Sequence, residues 1–398
     1  MFVTAPPEPG DIRTRFPYVP ALDGIRGLLV FPVLLFHFSI TSGMDGKAPS
    51  IIAPGSYFAP SMFFTLSGFL ITSLLLIERQ NHDRVDWAGF WKRRFRRLVP
   101  ASVAVIAMAV LVPIVWPEAW GGALHPDDAL AGLLSVKNWQ SIHFANSADQ
   151  GLRTLGPLSP YWSLSIEEQF YLGLSIVVGV AMFATRWRQW LTAALVTVGV
   201  ASIITMVVVD GGPNRELFGT DIRASELVAG CLMAMAVQRW GWPRSRWWGL
   251  VGWLSLALTV VLWGWVDENE AWVLGGGLAL VSLLNLGMIL GAATWGSTFA
   301  KAMSLRILVE VGKISYPLYL VHWPVGLALR PENVGFTGWP LMVARFAASL
   351  AIALPLANYV ESPIRRNQVL KGHRFTIAWA GSAAAILVLS YVWFNHAG

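Results

Sequence analysis

The chain has 398 residues, of which 55% are hydrophobic and only 13% charged, about half the charged share of soluble proteins. That excludes a soluble globular enzyme and points into a bilayer. A net charge of +6 would suit nucleic acid, but the basic residues cluster in short loops between apolar segments, so they read as topology signals and nucleic acid is not an expected partner.

Residues 1–20 are polar and Pro-rich, with no short apolar core and no small-residue cleavage site. They are expected to be a cytoplasmic tail, with the first span retained. Windows of about 20 apolar residues then begin near residues 21, 57, 98, 162, 189, 222, 246, 271, 313, 339 and 376. This predicts an all-α, polytopic membrane protein of about 11 transmembrane helices, integral to the cytoplasmic membrane and multi-pass. With the N-terminus cytoplasmic, the inside loops hold about 21 of the 29 Lys and Arg and the outside loops about 5. Arg26, Arg223 and Arg345 lie at span ends or within spans. The odd number of spans places the C-terminal FNHAG outside. The longest non-spanning stretch, 117–161, is also outside and carries the turn-rich PEAWGG, HPDD and LRTLGPLSP. An ordered cover over a binding site and a plain linker are both open for it. Cys231 is the single cysteine and lies in an apolar stretch, so the chain alone builds neither a disulfide framework nor a paired-thiol metal site.

Charge inside a span is costly and faces the protein interior or a wet cavity. The first span holds Arg26 and His37, 11 residues apart. At about 100° per residue that spacing returns to within roughly 20° of one helix face over about 16 Å. A cation then lies low and an imidazole high. Snorkelling to headgroups is the alternative for Arg26, and a hydrogen-bonded packing histidine the alternative for His37.

The fourth span opens with WSLSIEEQFYL, 162–172. Ser163, Glu167 and Tyr171 are spaced by four and share a face, whereas Glu168 points about 100° away. Glu167 is expected at the depth of His37, where a carboxylate beside an imidazole would orient the ring and raise its basicity. A salt bridge between spans is the competing reading for either glutamate. KRRFRRLVPA, 92–101, brings Arg94 and Arg97 to the cytoplasmic start of the third span, three apart and able to grip phosphates. Contact with anionic lipid is the competing reading. ISYPLYLVHWPV, 314–325, puts His322 between Pro317 and Pro324, which should interrupt helical hydrogen bonding. MFFTLSGFLIT, 62–72, supplies Ser67 and Gly68 and reads first as close helix packing.

Taken in order, Arg26 with His37, MFFTLSGFLIT, RRFRRLVP, WSLSIEEQFYL, SYPLYLVHWP and the closing ESPIRR resemble the acyltransferase-3 family of integral-membrane O-acyltransferases. The resemblance runs from about residue 20 to 366. It implies ten or eleven helices around a central passage, an acyl-CoA donor such as acetyl-CoA or another short-chain acyl-CoA, and transfer to a hydroxyl of an envelope glycan or glycolipid. It further implies that His37 is the acid/base residue with Glu167 as its partner, that Arg26 contacts the donor, and that Arg94 and Arg97 serve the CoA phosphates. Roles for Glu168, Tyr319 and His322 stay open. Residues 21–366 would form the membrane acyltransferase domain and 367–398 an additional helix. The fused extracytoplasmic hydrolase-like domain of some family members is not expected, and this favours a small, lipid-linked or lipophilic acceptor.

Direct transfer from thioester to hydroxyl is the expected mechanism. A covalent acyl-enzyme on Ser163 or Tyr171 competes with it. No metal is expected, because His37, Glu167 and His322 lack the paired spacing of a zinc site. A proton-coupled transporter is the alternative function for buried ionisable groups in many spans, although no repeat relates the two halves. The acyl group, the acceptor and the oligomeric state are not legible, and WVLGGGLALVSLL, 272–284, could pack within a monomer or against a neighbour.

Overall fold

A computed structural model describes residues 16–40, 54–145, 156–209, 212–266 and 270–396. Most of the N-terminal tail, the 146–155 part of the long non-spanning stretch and the last two residues lie outside the described residues. Every regular element among the described residues is helical.

Each of the eleven predicted segments coincides with a long helix. These are α1 (Pro20–Ile40), α2 (Ala59–His82), α3 (Trp87–Val115), α6 (Tyr161–Ala181), α7 (Trp187–Val208), α8 (Thr220–Trp240), α9 (Trp247–Trp265), α10 (Leu278–Ala293), α11 (Arg306–Ala328), α12 (Gly338–Pro355) and α13 (His373–His396). The intervening α4 (Pro126–Leu133) and α5 (Lys137–Ala145) are short. Among the described residues, nine stretches are long and apolar enough to cross a membrane. The other two helices, α8 and α11, have the length but carry charge, including Asp221, Arg223 and Glu226 on α8 and Arg306, Glu310 and Lys313 on α11. The chain is a multi-pass integral membrane protein. α3 begins at Trp87, well before the expected 98, so the KRRFRR run forms its first turns. Hydropathy sees only the apolar part of a helix whose polar end is equally helical.

The chain divides into two compact units. One comprises 1–32, 52–86 and 167–313, the other 33–51, 87–166 and 314–398. α1, α6 and α11 contribute to both, changing unit after Pro32, Ile166 and Lys313.

In the first unit α2 and α8 meet backbone to backbone. A Cβ on Gly68 would lie 2.0 Å from the Leu227 carbonyl oxygen, and one on Gly230 would lie 1.9 Å from that of Thr65. Only glycine permits that approach, which is how helices associate where lipid supplies no hydrophobic drive. α8 also buries an ion pair. The Arg223 guanidinium binds Glu226, donates to the Leu217 carbonyl at 2.8 Å, and lies over the Phe64 ring. Two charges a turn apart that satisfy each other explain how a helix with buried charge survives in a membrane protein. The glycine run of 272–284 forms a kinked π-helical turn at Val273–Gly277, with Gly276 at φ 123°, a conformation that L side chains rarely adopt.

In the second unit α13 packs along α3, and Arg96 ties the turn between α12 and α13 to α3. It donates to the carbonyls of Ile364 at 3.1 Å and Leu370 at 2.7 Å. The described part of 117–161 is folded, not extended linker. Lys137 Nζ binds Asp128 at 2.5 Å and Gln140 at 2.7 Å, and Trp120 Nε1 donates to the Ala109 carbonyl at 2.8 Å.

Candidate active site

The second unit brings two histidines together from helices far apart in sequence. His37 Nδ1 is 2.7 Å from His322 Nε2, and the two rings are nearly parallel, 16° apart with centroids at 5.0 Å. His322 Nδ1 is 2.5 Å from the Tyr319 carbonyl oxygen. His322 is fully buried. α11 runs unbroken through Pro317 and Pro324, although Pro324 has no N–H to give the Leu320 carbonyl. The expected interruption is thus not seen, since the helix continues through both prolines, and His322 lies within it.

Around this pair the contacts are specific. The Trp323 ring meets His37 edge-on at 5.2 Å, and its Nε1 donates to the Gly156 carbonyl at 2.9 Å. The Tyr319 hydroxyl donates to the Pro160 carbonyl at 3.0 Å and lies 2.8 Å from Ser163 Oγ. Ser163 therefore has a phenol and a carbonyl beside it, neither of which is a base able to activate it as a nucleophile. Arg345, fully buried on α12, donates from Nη1 to the Phe38 carbonyl at 2.7 Å and from Nε to the Leu329 carbonyl at 3.0 Å. It binds carbonyls at the C-terminal ends of α1 and α11, where a cation is electrostatically favoured.

The first unit holds the carboxylate. Glu167 Oε1 accepts from Ser67 Oγ at 3.2 Å and Oε2 from the Tyr171 hydroxyl at 3.0 Å. The Glu167–Tyr171 bond is the expected same-face pair of α6. Ser67 thus has a polar role in addition to the packing role read from its segment. Glu168 is half-buried beside them, and Gln169 accepts from Thr220 Oγ1 at 2.6 Å. Arg26 pairs with Asp23 one turn earlier on α1 at 3.4 Å.

Of the basic run, Arg94 and Arg96 are buried while Lys92, Arg93 and Arg97 are exposed. Arg97 acts electrostatically on Glu361, whose carboxylate also accepts from Arg365 at 2.8 Å. The two arginines expected to act alike therefore differ in environment, Arg94 inside and Arg97 on the surface.

The sequence model of a family described as an acyltransferase domain matches residues 19–358. The chain belongs to the acyltransferase-3 family. Among similar members, the peptidoglycan O-acetyltransferase OatA of Listeria monocytogenes is 30% identical over 373 residues, covering 88% of this chain and 56% of the relative. The O-acetyltransferase OatA of Staphylococcus aureus is 29% identical over 369 residues, covering 88% and 57%. The putative peptidoglycan O-acetyltransferase YrhL of Bacillus subtilis is 29% identical over 366 residues, covering 87% and 55%. The chain thus spans little more than half the length of these relatives. No solved structure matches it.

For this acyltransferase-3 chain, sequence reasoning passed over three residues that hold the histidine pair. Arg345 was visible only as a lone cation in an apolar span, Trp323 was one of 21 tryptophans, and Gly156 carries no side chain to notice. A buried arginine within a span was the one signal that could have drawn attention.

Proposed function

We propose that the protein is a membrane O-acyltransferase that moves a short acyl group from acyl-CoA to a hydroxyl of an envelope glycan, with His37 as the acid/base residue. The observation that carries the reading is the half-buried His37–His322 contact, 2.7 Å apart, in a chain of a family whose similar members are named O-acetyltransferases. A hydroxyl at neutral pH is a poor nucleophile, and a positioned imidazole that removes its proton is the usual remedy. His37 takes the hydroxyl proton as the oxygen attacks the thioester carbonyl. The CoA thiolate leaves and takes up that proton, so the products are the ester and CoA thiol. Arg94 and Arg97 serve the phosphates of the donor. The acetyl group and a peptidoglycan-like acceptor come from the relatives' names.

An acyl-enzyme on Tyr171 is the second reading, favoured by the hydrogen bond that its hydroxyl gives Glu167. The carboxylate is placed to accept the phenolic proton, as a base paired with a nucleophile requires.

The test is CoA release from acetyl-CoA by purified protein in nanodiscs, offered chitotetraose or an envelope-lipid extract. Release that needs both donor and acceptor, and disappears in His37→Ala while the variant keeps its thermal stability, supports the reading. Absence of turnover and of acetyl-CoA binding in the wild type rejects it.

A further inference from the structure

We infer that His322 is a positioning residue that holds His37 in the tautomer with Nδ1 protonated, leaving Nε2 of His37 as the proton-accepting nitrogen. This rests on the reading of His37 as the base and says how that base is kept in the right form.

The Tyr319 carbonyl oxygen can only accept, and it lies 2.5 Å from His322 Nδ1, so Nδ1 of His322 must carry a hydrogen. A neutral His322 then has its lone pair on Nε2. That lone pair faces His37 Nδ1 at 2.7 Å, and two lone pairs at this distance would repel. His37 Nδ1 must therefore be the donor, and a neutral ring protonated at Nδ1 has its lone pair on Nε2. Each proton in the series is set by the one before it, back to a main-chain atom that cannot change its role.

The same series supports the charged state formed during the reaction. When His37 accepts a proton at Nε2, its Nδ1–H continues to donate to His322, whose own Nδ1–H is held by the Tyr319 carbonyl. The partial negative charge of that carbonyl is thereby relayed toward the imidazolium. This is the service that a buried carboxylate performs for a catalytic histidine, fixing tautomer and orientation without itself taking the proton. Here an imidazole backed by a carbonyl performs it, and no carboxylate is needed at Nδ1. The packing holds the geometry. The near-parallel rings, the Trp323 ring against His37 and the complete burial of His322 hold the pair in this arrangement.

The test reads the tautomer directly. Solid-state NMR of histidine-labelled full-length protein in proteoliposomes distinguishes protonated from unprotonated ring nitrogens, and the difference spectrum against His37→Ala assigns the His37 pair. The wild type should show His37 with Nδ1 protonated and Nε2 bare. His322→Gln, which keeps an acceptor at the reach of Nε2, should preserve that pattern, whereas His322→Phe, with a ring but no acceptor, should lose it. In the CoA-release assay with acetyl-CoA and chitotetraose, His322→Phe should lower kcat about 10- to 100-fold, the usual cost of losing such an orienting partner. KM for acetyl-CoA should be unchanged, and His322→Gln should restore most of kcat. A bare Nδ1 on His37 in the wild type overturns the inference, and that spectrum needs no variant to fold. Equal kcat in His322→Phe and wild type also overturns it, even if His37→Ala is inactive. Full activity in His37→Ala would instead sink the base reading and leave the spectroscopic assignment standing.

Discussion

Arg345 and Phe38 are joined by a 2.7 Å hydrogen bond from a buried guanidinium to the main-chain carbonyl of the residue after His37. The same guanidinium reaches the Leu329 carbonyl just past α11, so one side chain on α12 ties together the ends of the two helices that carry the histidines. Replacing Arg345 by Met keeps much of the volume but removes the donor that both carbonyls share, at about 1–3 kcal/mol for a lost buried partner. We expect Arg345→Met to lower the thermal unfolding temperature in detergent and to reduce kcat at least tenfold, with KM for acetyl-CoA little changed. Wild-type kcat in a correctly folded Arg345→Met would show that the tie does not position the base.

His37→Gln and His37→Ala should each reduce CoA release by about 10²–10⁴, the range that a general base contributes. Circular dichroism should keep the helical signature, because His37 is on the last turn of α1 and its loss removes one side-chain hydrogen bond. A residual rate above a tenth of wild type would assign the base elsewhere.

Tyr171→Phe separates direct transfer from an acyl-enzyme. It removes the hydroxyl that donates to Glu167 at 3.0 Å and leaves the ring. Direct transfer predicts activity within a few-fold of wild type and no isotope retained on protein after incubation with labelled acetyl-CoA alone. Retained label that vanishes in Tyr171→Phe would make the tyrosine an acyl carrier.

Arg97 is exposed whereas Arg94 is buried, so the two should fail differently. Arg97→Gln should raise KM for acetyl-CoA several-fold with kcat nearly intact, as expected for loss of a phosphate contact made alike in ground and transition states. Arg94→Gln should also lower thermal stability, since it leaves a buried site without its cation. An unchanged KM in both would remove the run from donor binding.

Gly68→Val tests the crossing of α2 and α8. The new Cβ would lie 2.0 Å from the Leu227 carbonyl oxygen, a backbone atom that cannot swing aside. The helices must separate, at a cost of at least about 1–3 kcal/mol, read as a lower melting temperature and poor yield. Ser67→Ala next to it removes only the hydroxyl bonded to Glu167 and should leave stability nearly unchanged.

Local chemistry made much of this protein legible without coordinates. Hydropathy located the long helices because each must bury its own backbone polarity in lipid. It placed the third too late, since the basic first turns of α3 bond their backbone as well as apolar ones do. Four-residue spacing announced the Glu167–Tyr171 bond, because both ends lie on one helix. The role of Gly68 in close packing was likewise visible, whereas its partner Leu227 was not.

By itself, then, the sequence determined the bilayer setting, the all-helical class, the family and the set of residues with chemistry to offer. Only the tertiary structure decided their pairings. Spacing along a helix cannot tell that His37 meets His322, 285 positions away, or that Arg345 holds the carbonyl next to it. Those contacts depend on which helices lie side by side and on main-chain atoms such as the Tyr319 carbonyl. Every residue has such a carbonyl, so no amino-acid type marks the one that fixes a proton.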